Sequence, residues 1–260
     1  MHIVADNLTI TNAVVADALK RRDPEPIRKL VRICEAAGAG MIDINSGPLT
    51  RNPEESMVFL VDSVRAATNL PLLLDTSNPA ALEAGLQACG GRAIINGFSL
   101  EPDKLFLILP LARRFNTRII GYLLYPDSNV PADGAERLTV ALELYSRFSE
   151  AGLPPEQLII DPVVPPLIWQ NGQAQAMEVV SVIRTLPDLL GFKVDTIAGI
   201  SNLTCGPGNQ EQKPVFEQSY TAMLASAGLT MALVNVFHAG TMAAIRACNI
   251  LTGTKVFSWI

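Results

Sequence analysis

The chain has 260 residues, of which 49% are hydrophobic and 17% charged, and its formal net charge is -5. So few charged residues exclude a disordered polyelectrolyte and a solvated coiled coil, and the negative charge argues against non-specific nucleic-acid binding. About 250 residues is a usual length for one α/β barrel, and a chain of this size buries enough surface to fold without a disulfide or a structural metal.

Short apolar runs alternate with longer amphipathic segments along the whole chain, a rhythm typical of βα units around a parallel sheet. Eight of the short runs are nearly continuous Ile, Leu and Val, as expected for strands that are covered on both faces. In chain order, the predicted strands are residues 3–6, 40–45, 72–75, 93–96, 118–123, 158–161, 195–201 and 232–235.

A predicted helix follows each predicted strand. Asn or Asp before Pro marks several helix starts, and Gly marks several ends. In chain order, the predicted helices are residues 27–37, 52–68, 78–90, 101–114, 135–150, 174–185, 215–227 and 239–251. Eight strand–helix units without a linker-like tract predict an α/β fold with one domain over residues 1–260, a closed (β/α)8 TIM barrel. An open doubly wound sheet is the alternative.

Polar residues stand at the ends of seven of the eight predicted strands. These residues are Asp6, Asn7, Asp43, Asn45, Asp75, Asn96, Asp161, Ser201, Asn202 and Asn235. The carboxyl ends of parallel barrel strands meet on one face, where active sites lie. We therefore expect one polar cup at that face. The alternative is that these residues cap helices or form turns, which suits any one position better than all seven ends together.

The chemistry of this cup favours a neutral, donor-rich heterocycle. An ionised carboxylate accepts two N–H donors side by side, and a carboxamide both donates and accepts, as a guanine-like or pterin edge requires. The Gly-rich segments Gly38-Ala39-Gly40 and Gly206-Pro207-Gly208 fit neither a dinucleotide turn nor a P-loop. Two carboxylates also suit glycosidase-type chemistry, so acid–base hydrolysis stays open.

The chain has four scattered cysteines and two histidines: Cys34, Cys89, Cys205, Cys248, His2 and His238. Their spacing assembles no zinc ligand set, so we predict no bound metal and reduced thiols. The N-terminus lacks a signal-peptide pattern, and no apolar run reaches the roughly 18 residues of a membrane span. We expect a cytoplasmic protein that binds neither membrane nor nucleic acid.

Five motifs, in order along nearly the whole chain, resemble the pterin-binding superfamily that contains dihydropteroate synthase. They are Asp43-Ile44-Asn45-Ser46-Gly47, Asp75-Thr76-Ser77-Asn78, Ile95-Asn96-Gly97, Ile160-Asp161-Pro162 and Gly199-Ile200-Ser201-Asn202. The chain is most similar to the methyltransferase branch, the methyltetrahydrofolate:corrinoid protein methyltransferases of anaerobic bacteria. Synthase activity is disfavoured because Ser201-Asn202-Leu203-Thr204 replaces the basic Ser-Arg-Lys signature of the synthases.

The resemblance implies residue roles. Asp75, Asn96 and Asp161 would hold the pterin ring, and Asn202 would lie at the pterin N5. Further substrate-binding candidates are Asp43, Asn45, Ser201, Gly199 and Asn235. The family arginines are missing at Ala5-Asp6-Asn7-Leu8-Thr9 and near Gln210, so a less cationic pocket is expected, with Lys213 either compensating or merely solvated.

The resemblance also implies a reaction: methyl transfer, in either direction, between N5 of tetrahydrofolate and the cobalt of a separate corrinoid protein. It implies a homodimer that serves O-demethylation or acetogenesis. The carboxamide of Asn202 suits this chemistry because its oxygen accepts from protonated N5 and its NH2 group donates as the charge changes. Such a bond raises the rate only if it strengthens in the transition state.

Two alternatives to this function stay open. A different barrel enzyme, a lyase or hydrolase, would use Asp43 with Asp75 or Asp161 as an acid–base pair. A non-catalytic pterin-binding protein would bind methyltetrahydrofolate without transferring its methyl group.

Overall fold

The computed structural model describes residues 1–47, 52–90, 92–253 and 258. Eight parallel strands pair in chain order, and the eighth closes onto the first. The strands are β1 (His2–Thr9), β2 (Met41–Asn45), β3 (Leu72–Asp75), β4 (Ala93–Phe98), β5 (Ile119–Tyr122), β6 (Leu158–Asp161), β7 (Asp195–Gly199) and β8 (Met231–Val234). The (β/α)8 TIM barrel is thereby confirmed, and the open-sheet alternative is wrong.

The described part of the chain contains ten α-helices around this barrel. They are α1 (Ala13–Arg21), α2 (Glu25–Ala37), α3 (Pro53–Arg65), α4 (Pro79–Ala88), α5 (Pro102–Leu107), α6 (Leu109–Phe115), α7 (Gly134–Glu150), α8 (Gly172–Leu190), α9 (Lys213–Ala227) and α10 (Ala239–Leu251). A short 3-10 turn, Ile200–Thr204, follows β7. Among these described helices, none is long and apolar enough to cross a bilayer.

The helices of the structure differ from the predicted ones in two places. Helix α1 was not predicted, although Asn12 caps it by accepting a hydrogen bond from the Val14 N–H at 3.0 Å. The single helix predicted over residues 101–114 is two helices, α5 and α6, which meet at Ile108. Pro110 supplies the physical reason, because it has no N–H to continue the helical ladder.

The ends of β1 and β7 also differ from the predicted ones. Strand β1 continues to Thr9 because its pairing with β2 shifts between Ala5 and Leu8, so Asp6 lies within the strand. Strand β7 stops at Gly199, which places Ser201 and Asn202 in the following 3-10 turn. A bulge and a short 3-10 turn change neither composition nor apolar periodicity, so the sequence pattern did not mark them.

The barrel interior is filled with apolar side chains below the carboxyl ends of the strands. This inner layer consists of Val4, Leu73, Ile94, Ile120, Ile159, Ile197 and Met231. A larger apolar cluster lies between the strands and the surrounding helices. Strands buried on both faces explain the nearly continuous Ile, Leu and Val runs, and the filled interior leaves the carboxyl-end face for a site.

Candidate active site at the barrel mouth

A cavity of about 360 Å³ opens at the carboxyl ends of the strands. Four of the predicted site residues line it together: Asp75, Asn96, Asp161 and Asn202. They come from β3, β4, β6 and the turn after β7, so side chains far apart in sequence meet at one mouth. The volume lies within the range of about 300–1,000 Å³ that small-molecule sites occupy.

Asp75 is oriented by Asn45. The Asn45 Nδ2 atom donates to Asp75 Oδ2 at 2.6 Å, and Asn45 Oδ1 accepts from the Gly47 N–H at 3.2 Å. Burial raises the pKa of the Asp75 carboxyl to about 6, against the opposing positive charge of Lys104. Asn45 is not among the residues that line the cavity, so in the structure it acts by holding Asp75.

Asp43, Asn96 and Tyr122 form a hydrogen-bonded group at the mouth. Asp43 is 2% exposed and its Oδ1 atom has no partner among the described residues. Asn96 forms a hydrogen bond with the Asp43 carboxyl, and the Tyr122 hydroxyl donates to Asn96 Oδ1. Burial, with the nearby Asp75 and Asp6 charges, raises the pKa of Asp43 well above the usual carboxyl range. Burial and the neighbouring carboxylates therefore favour the neutral form of Asp43 more than in water.

Asp161 is held by the loop that follows β6. Its Oδ1 atom accepts from the Val163 N–H at 2.8 Å. Burial raises the pKa of the Asp161 carboxyl to about 7, while that hydrogen bond and the positive charge of Arg137 oppose the rise. A carboxyl with such a pKa titrates near neutral pH, which is common at functional sites.

Arg137, on α7, supports this loop from beneath and was not predicted. It is fully buried, and its Nη1 atom donates to the carbonyl oxygens of Pro162 and Val163, the latter at 3.0 Å. Val163 has a φ of 61°, which is unfavourable for a β-branched residue. The Val163 carbonyl oxygen accepts from Arg137, and the Val163 N–H donates to Asp161. These two hydrogen bonds hold the strained backbone of Val163 in one conformation, and with it the loop that orients Asp161.

Asn202 lies over Gly199. A Cβ atom at Gly199 would come 3.0 Å from Asn202 Nδ2 and 3.3 Å from its Cγ. Glycine at this position therefore makes room for the carboxamide. Gly199 and Ser201 are not among the residues that line the described cavity, and their contact with a substrate stays a prediction.

If the expected methyl transfer takes place at this mouth, Gly199→Ala should lower its turnover number about 3- to 10-fold while tetrahydrofolate affinity changes less than 3-fold, because the new methyl group displaces Asn202 by a few tenths of an ångström. Steady-state kinetics and calorimetry measure the two effects. Gly208→Ala is the matched control, since a Cβ there would meet only Lys213 Cε at 3.6 Å. An equal loss in both variants would contradict the packing role of Gly199.

Four polar cavity residues were not among the predicted site residues: Thr76, Ser77, Lys104 and Tyr122. Tyr122 ends β5, the strand for which no polar end was noted, so its position was a usable signal. Lys104 lies on α5 with its Nζ atom 3.6 Å from Glu101 Oε2, and nothing distinguishes it in sequence from a solvated helix lysine. Lys213 donates instead to the Gly206 carbonyl oxygen at 2.7 Å and is not among the residues that line this cavity.

Asn235 takes part in the connections of β1 and β8. Its Oδ1 atom accepts from Asn7 Nδ2 at 2.7 Å and from the Phe237 N–H at 3.0 Å. Asn7 Oδ1 in turn accepts from the Val236 N–H at 3.1 Å. Asn235 does not line the cavity, so in the structure it forms the turn after β8, and its role in binding substrate stays a prediction.

The cysteines are free thiols, and only Cys205 is exposed among the four. Within the part of the chain that the structure describes, no three His, Cys, Asp or Glu side chains are grouped to bind a metal ion. The absence of a bound metal stays a prediction.

A closed parallel barrel whose mouth gathers carboxylates and carboxamides has the chemistry of a protein that binds a flat, donor-rich ring. The chain belongs to the pterin binding enzyme family, whose model matches residues 7–235. The pterin-binding superfamily inferred from the five motifs is thereby confirmed.

The curated proteins that are similar to the chain include a methyltransferase and a methionine synthase. A methylcorrinoid:tetrahydrofolate methyltransferase of Eubacterium limosum is 23% identical over 256 residues, which cover 97% of this chain and 92% of that protein. A methionine synthase of Mycobacterium tuberculosis is 23% identical over 210 residues, which are 76% of this chain but only 17% of that protein.

Solved structures of dihydropteroate synthase from Xanthomonas albilineans have the same fold. The complex with 7,8-dihydropteroate has a TM-score of 0.65 at 22% identity and covers 98% of this chain and 94% of the synthase. The complex with indole-2-carboxylic acid and 6-chloroguanine has a TM-score of 0.69 at 20% identity, with the same coverage.

Proposed function

We propose that this protein is a methyltransferase that moves a methyl group between N5 of tetrahydrofolate and the cobalt of a corrinoid protein, in either direction. The observation that carries the proposal is the single cavity lined by Asp75, Asn96, Asp161 and Asn202. The similarity to a methylcorrinoid:tetrahydrofolate methyltransferase over nearly the full length of both chains supports it. A methionine synthase among the relatives favours the same chemistry.

The pterin ring is bound by acceptors on opposite sides of the mouth. A pterin edge presents an amino group beside a ring N–H, and an ionised carboxylate accepts both. Asp161, held by Val163, and Asp75, held by Asn45, are the two carboxylates with fixed orientation on the cavity wall. Asn96 accepts from Tyr122 through Oδ1 and donates one N–H to Asp43, which leaves its second N–H for a ring acceptor.

Asn202 acts at N5. Its oxygen accepts from the N–H of protonated N5 and so stabilises the protonated amine, which is the better leaving group. When the methyl–N5 bond breaks, N5 keeps this proton and regains a lone pair, and the NH2 group of Asn202 donates to N5 whenever that lone pair is free. A neutral carboxamide therefore serves both charge states and both directions. Since this bond raises the rate only by strengthening in the transition state, its geometry governs turnover more than affinity.

The corrinoid of the partner protein supplies the cobalt that accepts or delivers the methyl group. The rim residues of this chain suit the approach of such a partner. Apolar side chains are exposed at the mouth end on two loops and on the first turn of α9: Ile168, Trp169, Val215, Phe216 and Phe237. Exposed apolar residues grouped on one face commonly mark an interaction site.

The affinity for tetrahydrofolate is expected to rise with pH from 5.5 to about 7.5 and then to level off. Only the ionised Asp161 carboxyl accepts two N–H donors, and burial raises its pKa to about 7. Below that pKa, binding must release a proton, so the dissociation constant falls up to about tenfold per pH unit as pH rises.

Calorimetry over this pH range, in two buffers of different ionisation enthalpy, measures both the affinity and the released proton. The Asp161→Asn variant is the control, since it separates titration of Asp161 from titration of the ligand and of Asp75, whose pKa is about 6. Affinity that is independent of pH in the unmodified protein would show that Asp161 does not bind the ring as an anion.

One assay tests the proposed reaction. The protein is mixed anaerobically with reduced corrinoid and methyltetrahydrofolate, and separately with methylcobalamin and tetrahydrofolate, while the cobalt absorbance is followed. Methyl transfer in either mixture supports the proposal. Folate binding without a spectral change favours the non-catalytic pterin-binding protein, and no folate affinity favours a lyase or hydrolase that uses Asp43 with Asp75 or Asp161. Light scattering tests the homodimer that we propose with this function.

A further inference from the structure

A buried carboxylate lies behind the turn that carries Asn202. Glu217, on α9, is 5% exposed. Its Oε1 atom accepts from the Thr204 hydroxyl at 2.6 Å, and its Oε2 atom lies 3.5 Å from His238 Nδ1. A charged group withdrawn from water is costly unless it is hydrogen-bonded and paired. Glu217 is hydrogen-bonded to Thr204 and lies beside His238, and neither of these residues is part of the cavity wall.

Thr204 connects this carboxylate to the proposed active site. It is the last residue of the 3-10 turn Ile200–Thr204, in which Asn202 is the central residue. The Thr204 hydroxyl has one proton and two acceptors nearby, Glu217 Oε1 at 2.6 Å and the Ser201 carbonyl oxygen at 3.5 Å. The shorter contact takes the proton, so the hydroxyl ties the end of the turn to α9.

On its other side, Glu217 faces the connection between β8 and α10. His238 is the residue before α10, and its side chain is 47% exposed. Asp6, on β1, interacts electrostatically with both His238 and Glu217. Glu217 is thus placed between two neighbouring loops of the barrel mouth, one of which carries Asn202.

We propose that Glu217 and Thr204 are positioning residues for Asn202, a role that rests on the proposed methyl transfer. They touch neither the cavity nor, in this proposal, the substrate. They fix the turn so that the Asn202 carboxamide stays over Gly199 and at the place of N5. A displacement of about 1 Å in a catalytic group lowers rates by up to about 100-fold, so loss of this tie reduces turnover while the ring contacts of Asp75 and Asp161 survive.

The test compares two substitutions of Thr204. Thr204→Val keeps the shape and removes the hydroxyl, whereas Thr204→Ser keeps the hydroxyl. We expect Thr204→Val to lower the turnover number of methyl transfer about 10-fold with tetrahydrofolate affinity within 2-fold of the unmodified protein, and Thr204→Ser to restore most of the rate. Thr139→Val, an exposed threonine on α7, is the control for the substitution itself. Unchanged turnover in Thr204→Val overturns the proposal.

A double-mutant comparison distinguishes a positioning role of Thr204 and Glu217 from a general effect of their substitution on the fold. In the Asn202→Ala background, Thr204→Val is expected to have no further effect on turnover, because there is no carboxamide left to position. Glu217→Met, which removes both acceptor oxygens at similar length, should show the same dependence on Asn202. Independent losses that multiply in the double variants would mean that Thr204 and Glu217 support the fold alone, and would overturn the proposal.

A readout without turnover distinguishes failure of the positioning role from failure of the proposed function. The side-chain amide resonances of Asn202 in the ligand-free protein are expected to shift or broaden in Thr204→Val and to stay in place in Thr204→Ser. If the unmodified protein transfers no methyl group, the proposed function fails. These resonances still test whether the Thr204–Glu217 hydrogen bond positions Asn202. Resonances that do not move in Thr204→Val overturn the positioning role.

Discussion

Replacing Asn202 with alanine is expected to lower the rate constant for methyl transfer by about 10- to 1000-fold, as loss of one transition-state hydrogen-bond partner does. Tetrahydrofolate affinity should change by less than about 5-fold, because Asp75, Asn96 and Asp161 line the other walls of the same cavity. Anaerobic stopped-flow measurement of the cobalt absorbance gives the rate constant, and calorimetry gives the affinity.

Asn209→Ala is the matched control for this substitution. Asn209 lies in the same connection between β7 and α9, is exposed, and its Oδ1 atom accepts only the local Glu211 N–H at 2.8 Å among the contacts described. Its removal should leave the transfer rate within 2-fold. A rate constant in Asn202→Ala equal to that of the control would remove Asn202 from the mechanism.

The second large effect is expected from Asp161→Asn, which should weaken tetrahydrofolate binding by about 10- to 100-fold and also stabilise the fold at pH 8. Affinity falls because the variant leaves a ring N–H unpaired in the complex, at about 1–3 kcal/mol. The amide oxygen can still accept from the Val163 N–H, so the strained loop keeps its support.

Stability rises because the buried carboxylate is removed. Asp161 has a pKa of about 7 in the folded protein against an ordinary value of 3.8, so between these values the folded state binds more protons than the unfolded state. Its contribution to stability is fully present below pH 4 and is lost as pH rises through 7. At pH 8 the loss amounts to up to about 4 kcal/mol, and an amide at this position does not incur it.

Thermal unfolding at pH 5 and pH 8 tests this expectation. The gain in melting temperature from Asp161→Asn should be larger at pH 8 than at pH 5, and the exposed control Asp188→Asn should show no such difference. A gain that is equal at both pH values would mean that the Asp161 carboxyl is not destabilised by burial. Unaltered folate affinity would refute its role in holding the ring.

Stability and function therefore oppose each other at this mouth. Burial raises the pKa of Asp43, Asp75 and Asp161 alike, and each carboxyl is held by a neighbour instead of by a full ion pair. Sites built for ligands commonly sacrifice stability in this way, because a preorganised acceptor must not find all its partners within the protein.

Much of the mouth was predictable because it depends on topology. Asp75, Asn96 and Asp161 each follow an apolar run, and any closed parallel barrel brings such positions to one face. The bulge in β1, the 3-10 turn after β7 and the break at Ile108 were not predictable from periodicity, since each is a short segment whose local pattern fits a regular element equally well.

The residues that were missed act through partners that lie far away along the chain. Arg137 and Glu217 read in sequence as charged positions on amphipathic helices, and such positions are usually solvated. Only the tertiary structure shows that they are buried. Arg137 on α7 packs against the loop after β6, and Glu217 on α9 packs against the 3-10 turn that carries Asn202. Asn45 and Asn235 were placed at the right strand ends, but the structure turns their side chains to Asp75 and Asn7.

The sequence alone thus determined the alternation of strands and helices, because a strand buried on both faces must be apolar along its whole length. The same pattern determined which carboxylates and carboxamides stand at the strand ends. Three-dimensional closure decided which of those groups face the cavity, which are occupied by neighbours, and which carboxyls have a raised pKa. Desolvation and hydrogen bonding between distant segments depend on the packed neighbours, and no single segment carries that information.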